Sequence, residues 1–463
     1  MRIRFDRGTL VLEAESGDED PAQIPGATRD RDQLAWRLPA HLYSSLIVRL
    51  ADKAVRISDE TRISALSGTW SLPQLRWYQN EALASWEAAR RRGVLALPTG
   101  SGKTLAAISA IAQLSVSTLV LVPTRVLLDQ WARTLSSAWG FPIGRLGDGD
   151  RHVAPITVST FASAIAWAPR IGDRFGLVVI DEAHHLGAMC PTEVLEMLVA
   201  PYRLGLTATP PTEPDMRERL ARFIGPIVYG LSIDDLAGDA LAEYQLVTVP
   251  IRLARDERAL YREYRARFAS VYAPYMRASR GAPWQQFVRD ARQSRAGRDA
   301  LAAWRTYRSI LSYPRGKRAA LRQLLALHPD QRTLIFTADN ATAYAIAREL
   351  LVQPITHEIG KVERAEVLAR FRAGDVPVLV SSQVLDEGID VPDADVAIVV
   401  GGTSSARRHV QRIGRVLRPR HGKRARVYEL AVEDSTEVAY VARRRGTSGD
   451  PTRRGVAQIG GAP

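Results

Sequence analysis

Short apolar runs alternate along this chain with longer segments whose apolar positions recur every three or four residues. The runs Val94–Leu97, Leu119–Val122, Ile156–Val158, Leu177–Ile180 and Arg203–Leu206 are too brief for helices. They lack the in–out alternation of a half-exposed strand, so they predict strands buried on both faces. The helix-period segments between them, one beginning at Leu105, predict a parallel sheet covered by helices on both sides. A second set, Thr333–Phe336, Val376–Val380, Val396–Val400 and Arg426–Leu430, predicts a second sheet of the same kind. Ahead of both, Arg2–Glu13 alternates like an edge or hairpin strand, an acidic turn follows at Asp18–Pro21, Leu34–Leu50 has a helical pattern and Ala54–Ile57 suits another strand. Residues 1–70 therefore read as a small α+β module.

Each early run ends in a polar signal, and the carboxyl ends of parallel strands are where such sheets bind ligands. Val94–Leu97 leads into Pro98-Thr99-Gly100-Ser101-Gly102-Lys103-Thr104 and then a helix. In a strand–glycine turn–helix, backbone N–H groups form a nest for phosphate oxygens, the lysine reaches the outer phosphates and the threonine hydroxyl ligates Mg2+. The first glycine usual in such a loop is Leu97 here. Of 63 basic residues only five are lysine, so a lysine at position 103 reads as required: a compact ammonium fits between phosphates where a planar guanidinium crowds them. Leu177–Ile180 leads into Asp181-Glu182-Ala183-His184. There Asp181 would hold Mg2+ through water, and Glu182 would orient and deprotonate the attacking water. His185 reads as a packing residue. In the second α/β region, Gln411-Arg412-Ile413-Gly414-Arg415-Val416-Leu417-Arg418 places Arg415 and Arg418 on one helix face, either as a solvated basic surface or as arginine fingers toward a phosphoryl group.

The chain of 463 residues, 46% apolar, has room for about three domains. Its net charge of +13 suits a polyanionic partner. Segment 252–318 carries 17 basic and five acidic residues, so +12 of that charge lies there, interleaved with Tyr261, Tyr264, Phe268, Tyr272, Tyr275, Trp284, Phe287, Trp304 and Tyr307. Arginines that neutralise phosphates and aromatics that stack on bases suit single strands. The alternative is a helical hairpin with its aromatics packed inward and its arginines in water. A single cysteine, Cys190, excludes an intramolecular disulfide framework and suits a reducing cytoplasm. The amino terminus lacks a signal-peptide core, and Leu105–Val122 is too interrupted by polar residues for a membrane span. Residues 446–463, rich in Gly, Pro and Arg, read as a disordered tail.

TGSGKT, DEAH, TAT (Thr207-Ala208-Thr209) and QRIGRVLR, in this order, resemble the motifs of superfamily 2 helicases, and among these the XPB family in its archaeal and bacterial form. Leu75–Gln79 and Ser381–Pro392 (SSQVLDEGIDVP) extend the likeness. The resemblance implies an α/β fold: two RecA-like motor domains in tandem (71–235 and 236–445), a damage-recognition-like domain at 1–70 and a thumb-like helical insertion near 252–318. It implies a DNA-dependent ATPase moving 3′ to 5′ as a helicase or translocase in repair, using ATP and Mg2+. Single-stranded or forked DNA would be the partner of a monomeric motor in the cytoplasm and nucleoid, with a separate nuclease as a further partner and no membrane. Carried over by motif, Gln79 reads adenine with Arg76 nearby. Thr99, Gly100, Ser101, Gly102, Lys103 and Thr104 hold the triphosphate. Glu387, Gly388 and Asp390 bridge nucleotide and nucleic-acid backbone. Gln411, Arg415 and Arg418 complete catalysis with Lys103, Asp181 and Glu182. Pro123, Thr124, Arg125, Thr160 and Ser382 contact strand phosphates, and His184, Thr207 and Thr209 couple hydrolysis to movement. The family's Arg-Glu-Asp element is absent: the chain reads Pro210-Pro211-Thr212-Glu213-Pro214-Asp215. A duplex translocase or an RNA helicase with the same motor, or a non-catalytic nucleic-acid-binding scaffold, are the alternatives.

Overall fold

A computed structural model describes residues 1–14, 19–30, 35–236, 243–382, 394–401 and 424–445. The chain divides into two compact units after Asp235.

The first unit begins with the antiparallel hairpin β1 (Arg2–Asp6) and β2 (Thr9–Glu13), turning at Arg7-Gly8, both with positive φ. With β3 (Thr28–Arg29), β4 (Trp36–Pro39) and β5 (Ser58–Asp59) it forms a sheet of order β3-β4-β2-β1-β5, backed by helix α1 (Tyr43–Asp52). The helix is shorter than the pattern over 34–50 predicts. Trp36–Pro39 instead pairs with β2, burying Leu38, while Arg37 bridges Asp6 at 2.8 Å and Asp30 at 2.6 Å. The strand expected at Ala54–Ile57 lies at Ser58–Asp59, parallel to β1. The module's apolar core, with Ile3, Leu10, Leu38, Leu46 and Leu50, also takes in Val199 of the α/β domain behind it. Gly8 is required at that seam, because a Cβ there would lie 2.4 Å from the Met197 side chain.

The α/β domain carries β6 (Arg92–Ala96), β7 (Thr118–Val122), β8 (Gly144–Gly147), β9 (Asp150–His152), β10 (Ile156–Thr160), β11 (Leu177–Ile180), β12 (Tyr202–Thr207) and β13 (Ile227–Gly230) in the order β13-β6-β12-β11-β7-β10-β8-β9. All pair in parallel except the β8–β9 hairpin. The helices are α2 (Trp77–Ala88), α3 (Lys103–Leu114), α4 (Arg125–Trp139), α5 (Phe161–Ile171), α6 (Thr192–Glu196), α7 (Pro214–Phe223) and α8 (Ile233–Leu236). The predicted runs lie in β6, β7, β10, β11 and β12. The short strands β8, β9 and β13, at or next to the sheet edges, are too polar or too brief to register as apolar runs. Where the Arg-Glu-Asp element is missing, Pro214 occupies the first position of α7 and Asp215 its first turn, a regular helix start.

The second unit holds a parallel sheet of order β14-β19-β18-β15-β17-β16, from β14 (Glu243–Ile251), β15 (Thr333–Phe336), β16 (Gln353–Ile355), β17 (Val378–Ser381), β18 (Val396–Val399) and β19 (Arg424–Val432). β14 sits at the edge, which is where Pro250 can be tolerated in a strand. Helices α9 (Arg255–Ala278), α10 (Trp284–Ala291), α11 (Arg295–Ser312), α12 (Arg315–Leu327), α13 (Asn340–Leu350), α14 (Lys361–Ala373) and α15 (Thr436–Arg445) complete it. Buried Lys317 ties α12 to α15 through Glu437 at 2.8 Å. The aromatics of 252–318 correct one expectation. Tyr261, Phe268, Phe287 and Tyr307 are buried, and Tyr264, Tyr272, Tyr275, Trp284 and Trp304 pack against the same core. Phe268 stacks on Tyr272 with ring centres 4.9 Å apart and meets Phe287 edge-on. These rings hold the helices together and are not free as a base-stacking platform. The arginines are the exposed face: Arg255, Arg258, Arg262 and Arg265, spaced three or four apart on α9, all face solvent.

Candidate functional site

Three neighbouring strands, β6, β12 and β11, deliver their carboxyl ends to one place. β6 runs into the loop Leu97–Gly102, where Gly100 and Gly102 have φ of 87° and 80°, left-handed values that suit glycine. Lys103 begins α3, and its Nζ donates to the Leu97 and Pro98 carbonyls at 3.0 Å each. Ser101 Oγ donates to the Pro98 carbonyl at 2.7 Å, while Thr99 and Thr104 stay half-buried at the loop's edges. The loop is braced from α2: the Tyr78 hydroxyl donates to the Ser101 carbonyl at 2.6 Å, and Gln79 Nε2 donates to the same carbonyl at 2.8 Å. Gln79 Oε1 accepts from the Arg76 backbone N–H at 2.9 Å, so this glutamine is a buried link between helix and loop. The φ of Gly102 favours glycine there, and a Cβ would displace the Gln79 amide, whose Nε2 lies 2.5 Å from its position.

Asp181 follows β11 and is buried. Burial pushes its pKa up, while the Trp131 indole N–H and the charge of Lys103 draw it down. The Trp131 Nε1 donates to Asp181 Oδ2 at 2.8 Å, and the Glu182 backbone N–H donates to Oδ1 at 2.9 Å. A buried carboxylate held by two donors next to a lysine is chemically suited to a hard divalent cation, which favours its charged form. Glu182 itself has φ 51° and ψ 49°, a left-handed conformation that is costly for a side chain with a Cβ. His184 Nδ1 lies 2.9 Å from Thr207 Oγ1 and 3.4 Å from Glu182 Oε2. Thr207 Oγ1 in turn donates to the Thr209 carbonyl and accepts from the Thr209 N–H, both at 3.1 Å. The Thr207 carbonyl accepts from the Leu97 N–H at 2.9 Å, closing the circuit back to the glycine loop. The rings of His184 and His185 are in tilted contact, 4.4 Å apart.

Beside this cluster, Thr160 ends β10 and Thr124 follows the adjacent strand β7 by two residues, and each caps the helix after it. Thr124 Oγ1 accepts from the Leu127 N–H at 3.3 Å, and Thr160 Oγ1 from the Ser163 N–H at 3.2 Å. Pro123 is half-buried, and Arg125 is exposed and paired with Asp148 at 2.6 Å. In the second unit, Ser382 is buried just past β17, its Oγ without a hydrogen-bond partner among the described residues. Glu387, Gly388, Asp390, Gln411, Arg415 and Arg418 lie outside the described residues. Sequence reasoning missed Tyr78 and Trp131: both read as apolar positions of amphipathic helices, with nothing to mark where their polar tips point.

Residues 3–61 match the Xeroderma pigmentosum group B helicase damage recognition domain, 72–212 the res subunit of type III restriction enzymes and 316–420 the helicase conserved C-terminal domain. The DNA 3'-5' translocase XPB2 of Sulfurisphaera tokodaii is 35% identical over 378 residues, covering 80% of this chain and 84% of that protein. The chain belongs to the XPB family of helicases. The DNA 3'-5' helicase XPB of Mycobacterium tuberculosis is 31% identical over 389 residues, and the chain spans 63% of its length. It spans 55% of the putative DNA 3'-5' helicase Rad25 of Halobacterium salinarum, so some XPB relatives carry far more chain. In fold, the helicase domain of Pyrococcus furiosus Hef (TM-score 0.52, 20% identity, 81% of this chain and 98% of that one) is similar. So is Saccharomyces cerevisiae Dbp5 bound to RNA and ADP BeF3 (TM-score 0.56, 17% identity, 81% and 88%). The two parallel sheets are thus RecA-like domains of a superfamily 2 helicase, preceded by a separate amino-terminal module, and helicase domains of this family imply the use of ATP.

Proposed function

We propose that this XPB-family chain is a DNA-dependent ATPase that moves 3′ to 5′ along DNA and opens or remodels it in repair. The observation that carries this is the meeting of Lys103, Asp181, Glu182 and Thr207 at the ends of three adjacent strands. In this reading Lys103 leaves the Leu97 and Pro98 carbonyls for the outer phosphates, which the loop N–H groups from Thr99 to Gly102 also cradle. Thr104 and Asp181 would hold Mg2+, which supplies charge neutralisation at the phosphates when bound. Glu182 aims the attacking water and accepts its proton, and its strained backbone is part of that aim. Gln79 would exchange its Ser101 and Arg76 backbone partners to read the base, with Arg76 nearby; Gln411, Arg415 and Arg418 act in catalysis with Lys103, Asp181 and Glu182, and Glu387, Gly388 and Asp390 bind the nucleotide. His184, Thr207 and Thr209 pass the state of the phosphates to the strand.

Pro123, Thr124, Arg125, Thr160 and Ser382 hold strand phosphates. Capping leaves the Thr124 hydroxyl its hydrogen, so it can donate to a phosphate while accepting from its helix; Thr160 Oγ1 donates to Ser163 Oγ at 3.0 Å and would exchange that partner for a phosphate. Four domains follow from this reading: 1–70 for damage recognition, 71–235 and 236–445 as motors with the 252–318 thumb, and 446–463 as a tail. The thumb binds DNA through its α9 arginine stripe. The motor acts as a monomer on single-stranded or forked DNA in the nucleoid, with a separate nuclease as its processing partner. A second reading, duplex translocation without strand separation, is favoured by one observation: the Arg-Glu-Asp segment is replaced by an ordinary helix start.

ATP hydrolysis and strand displacement on forked, bubble and blunt DNA test this. Forked DNA should stimulate hydrolysis strongly and be unwound. Stimulation by blunt duplex without unwinding selects the second reading, and hydrolysis indifferent to DNA contradicts both. Lys103→Ala and Glu182→Gln should each lower turnover by at least about a hundredfold with the fold intact.

A further inference from the structure

Between the amino-terminal module and the first α/β domain lies a cavity of ≈ 570 Å³, well away from the residues of the ATP site. From the module it is lined by His41, in the turn before α1, and by Ser44 and Ser45 in the first turn of α1; from the α/β domain by Arg92, at the start of β6, and Arg222, at the end of α7. Gly26, Pro39, Leu42 and Ala221 complete a mixed wall whose charged groups are both arginines. Among the described residues no carboxylate lies within ion-pair distance of Arg92 or Arg222. Burial depresses the Arg92 pKa with no acidic neighbour to offset it. Behind it, Arg203 is fully buried and spends its donors on the Ala200, Leu195, Leu198 and Phe223 carbonyls, which neutralises its hydrogen-bonding need and leaves its charge. Burial and Arg92 push that guanidinium down to about 9.

His41 registers the combined field. Its ring donates to the Glu196 carbonyl and leans on Phe223, and Nδ1 is buried with no hydrogen-bond partner. Burial first, then repulsion from Arg203, Arg222 and Arg92, push its pKa down to about 4. The α1 N-terminus adds the positive end of a helix dipole, and Leu42 at its cap position supplies no capping side chain. Cations drawn out of water are ordinarily paired; here half-buried Arg92 and exposed Arg222, two serines and a histidine line one open space with no acid among the lining residues. We propose that this inter-domain cavity binds a phosphate group, with Arg92 and Arg222 as its charged ligands and Ser44 and Ser45 as hydroxyl donors. The planar guanidiniums suit bidentate contact with tetrahedral oxyanions. An anion there bridges the module and the motor domain, so its occupancy stiffens their junction. The phosphate comes either from a free phosphorylated compound or from a nucleic-acid backbone.

Calorimetric titration of inorganic phosphate into the full-length Lys103→Ala chain, which disables the glycine loop, tests the proposal. One phosphate should bind per chain, and adding Arg222→Gln, an exposed position whose change leaves the fold intact, should weaken it about tenfold. Adding Arg92→Gln should abolish it, with unchanged circular dichroism. Failure of the Lys103→Ala chain to bind phosphate, or binding indifferent to Arg222→Gln, overturns the proposal. Repeating the titration with a short blunt duplex present identifies the source: displacement that depends on Arg222 assigns the site to backbone phosphates, and undiminished phosphate binding assigns it to a free phosphorylated compound. Because Lys103 is already replaced, the result does not depend on whether the motor reading holds.

Discussion

Asp181 is a carboxylate under opposing pulls. Burial disfavours its charge, while the Trp131 indole and Lys103 favour it. Replacing the indole by a ring without a donor, Trp131→Phe, removes a hydrogen bond to a charged group, an interaction of about 1.5–3 kcal/mol. The expected outcome is a rise of about tenfold in the Mg2+ concentration giving half-maximal ATP hydrolysis, measured by metal titration. A metal dependence equal to that of the wild type would show that Trp131 only fills space. His41 gives a second residue-scale test. Its folded pKa of about 4 lies below the ordinary 6.5, so between those values the unfolded chain binds more protons than the folded one. Stability from this group is complete above that window and is lost as pH falls through it. Thermal melting should therefore decline from pH 6.5 toward 4, and His41→Gln should flatten the decline. Lys103, Asp181 and Glu182 were legible in the sequence because each abuts a short apolar run. Trp131 was not, since its position on α4 is that of any core residue and its partner lies 50 positions away.

At the scale of elements, the strands of the two sheet centres were legible and the edges were not. A central strand buried on both faces is continuously apolar, as Leu177–Ile180 is. An edge strand such as β14 carries Glu243, Gln245 and Pro250 and resembles a linker. The helix forecast over 34–50 failed at Trp36–Pro39, where pairing with β2 outweighed the helical spacing. The α9–α11 aromatics satisfy two sequence patterns equally well, and only packing separates them. Phe268→Ala should cost about 3–5 kcal/mol of stability in denaturant unfolding, with little change in single-strand affinity under conditions where the variant remains folded. Loss of affinity without loss of stability would return the rings to a base-stacking role. The His184–Thr207 contact links two strand ends, and Thr207→Val should remove stimulation by DNA more than it lowers the unstimulated rate. Equal loss of both would place Thr207 in the chemistry itself.

For the whole molecule, charge is concentrated more sharply than composition alone suggests, with +12 of +13 in one helical segment. If the α9 stripe grips phosphates, Arg258→Gln, Arg262→Gln and Arg265→Gln together should flatten the dependence of log affinity on log salt for single-stranded DNA, by about 0.7 for each phosphate no longer neutralised. An unchanged slope would leave those arginines as a solvated surface. The proposed activity rests on Arg415 and Arg418 acting in ATP hydrolysis with Lys103, Asp181 and Glu182, and on DNA stimulating that hydrolysis. Its decisive test is steady-state ATP hydrolysis against forked-DNA concentration, for the wild type and for Arg415→Ala and Arg418→Ala. Strong stimulation is expected in the wild type and its collapse in both variants, with nucleotide and DNA binding retained. Turnover in the arginine variants that responds to DNA as the wild type does would contradict that role for the two arginines.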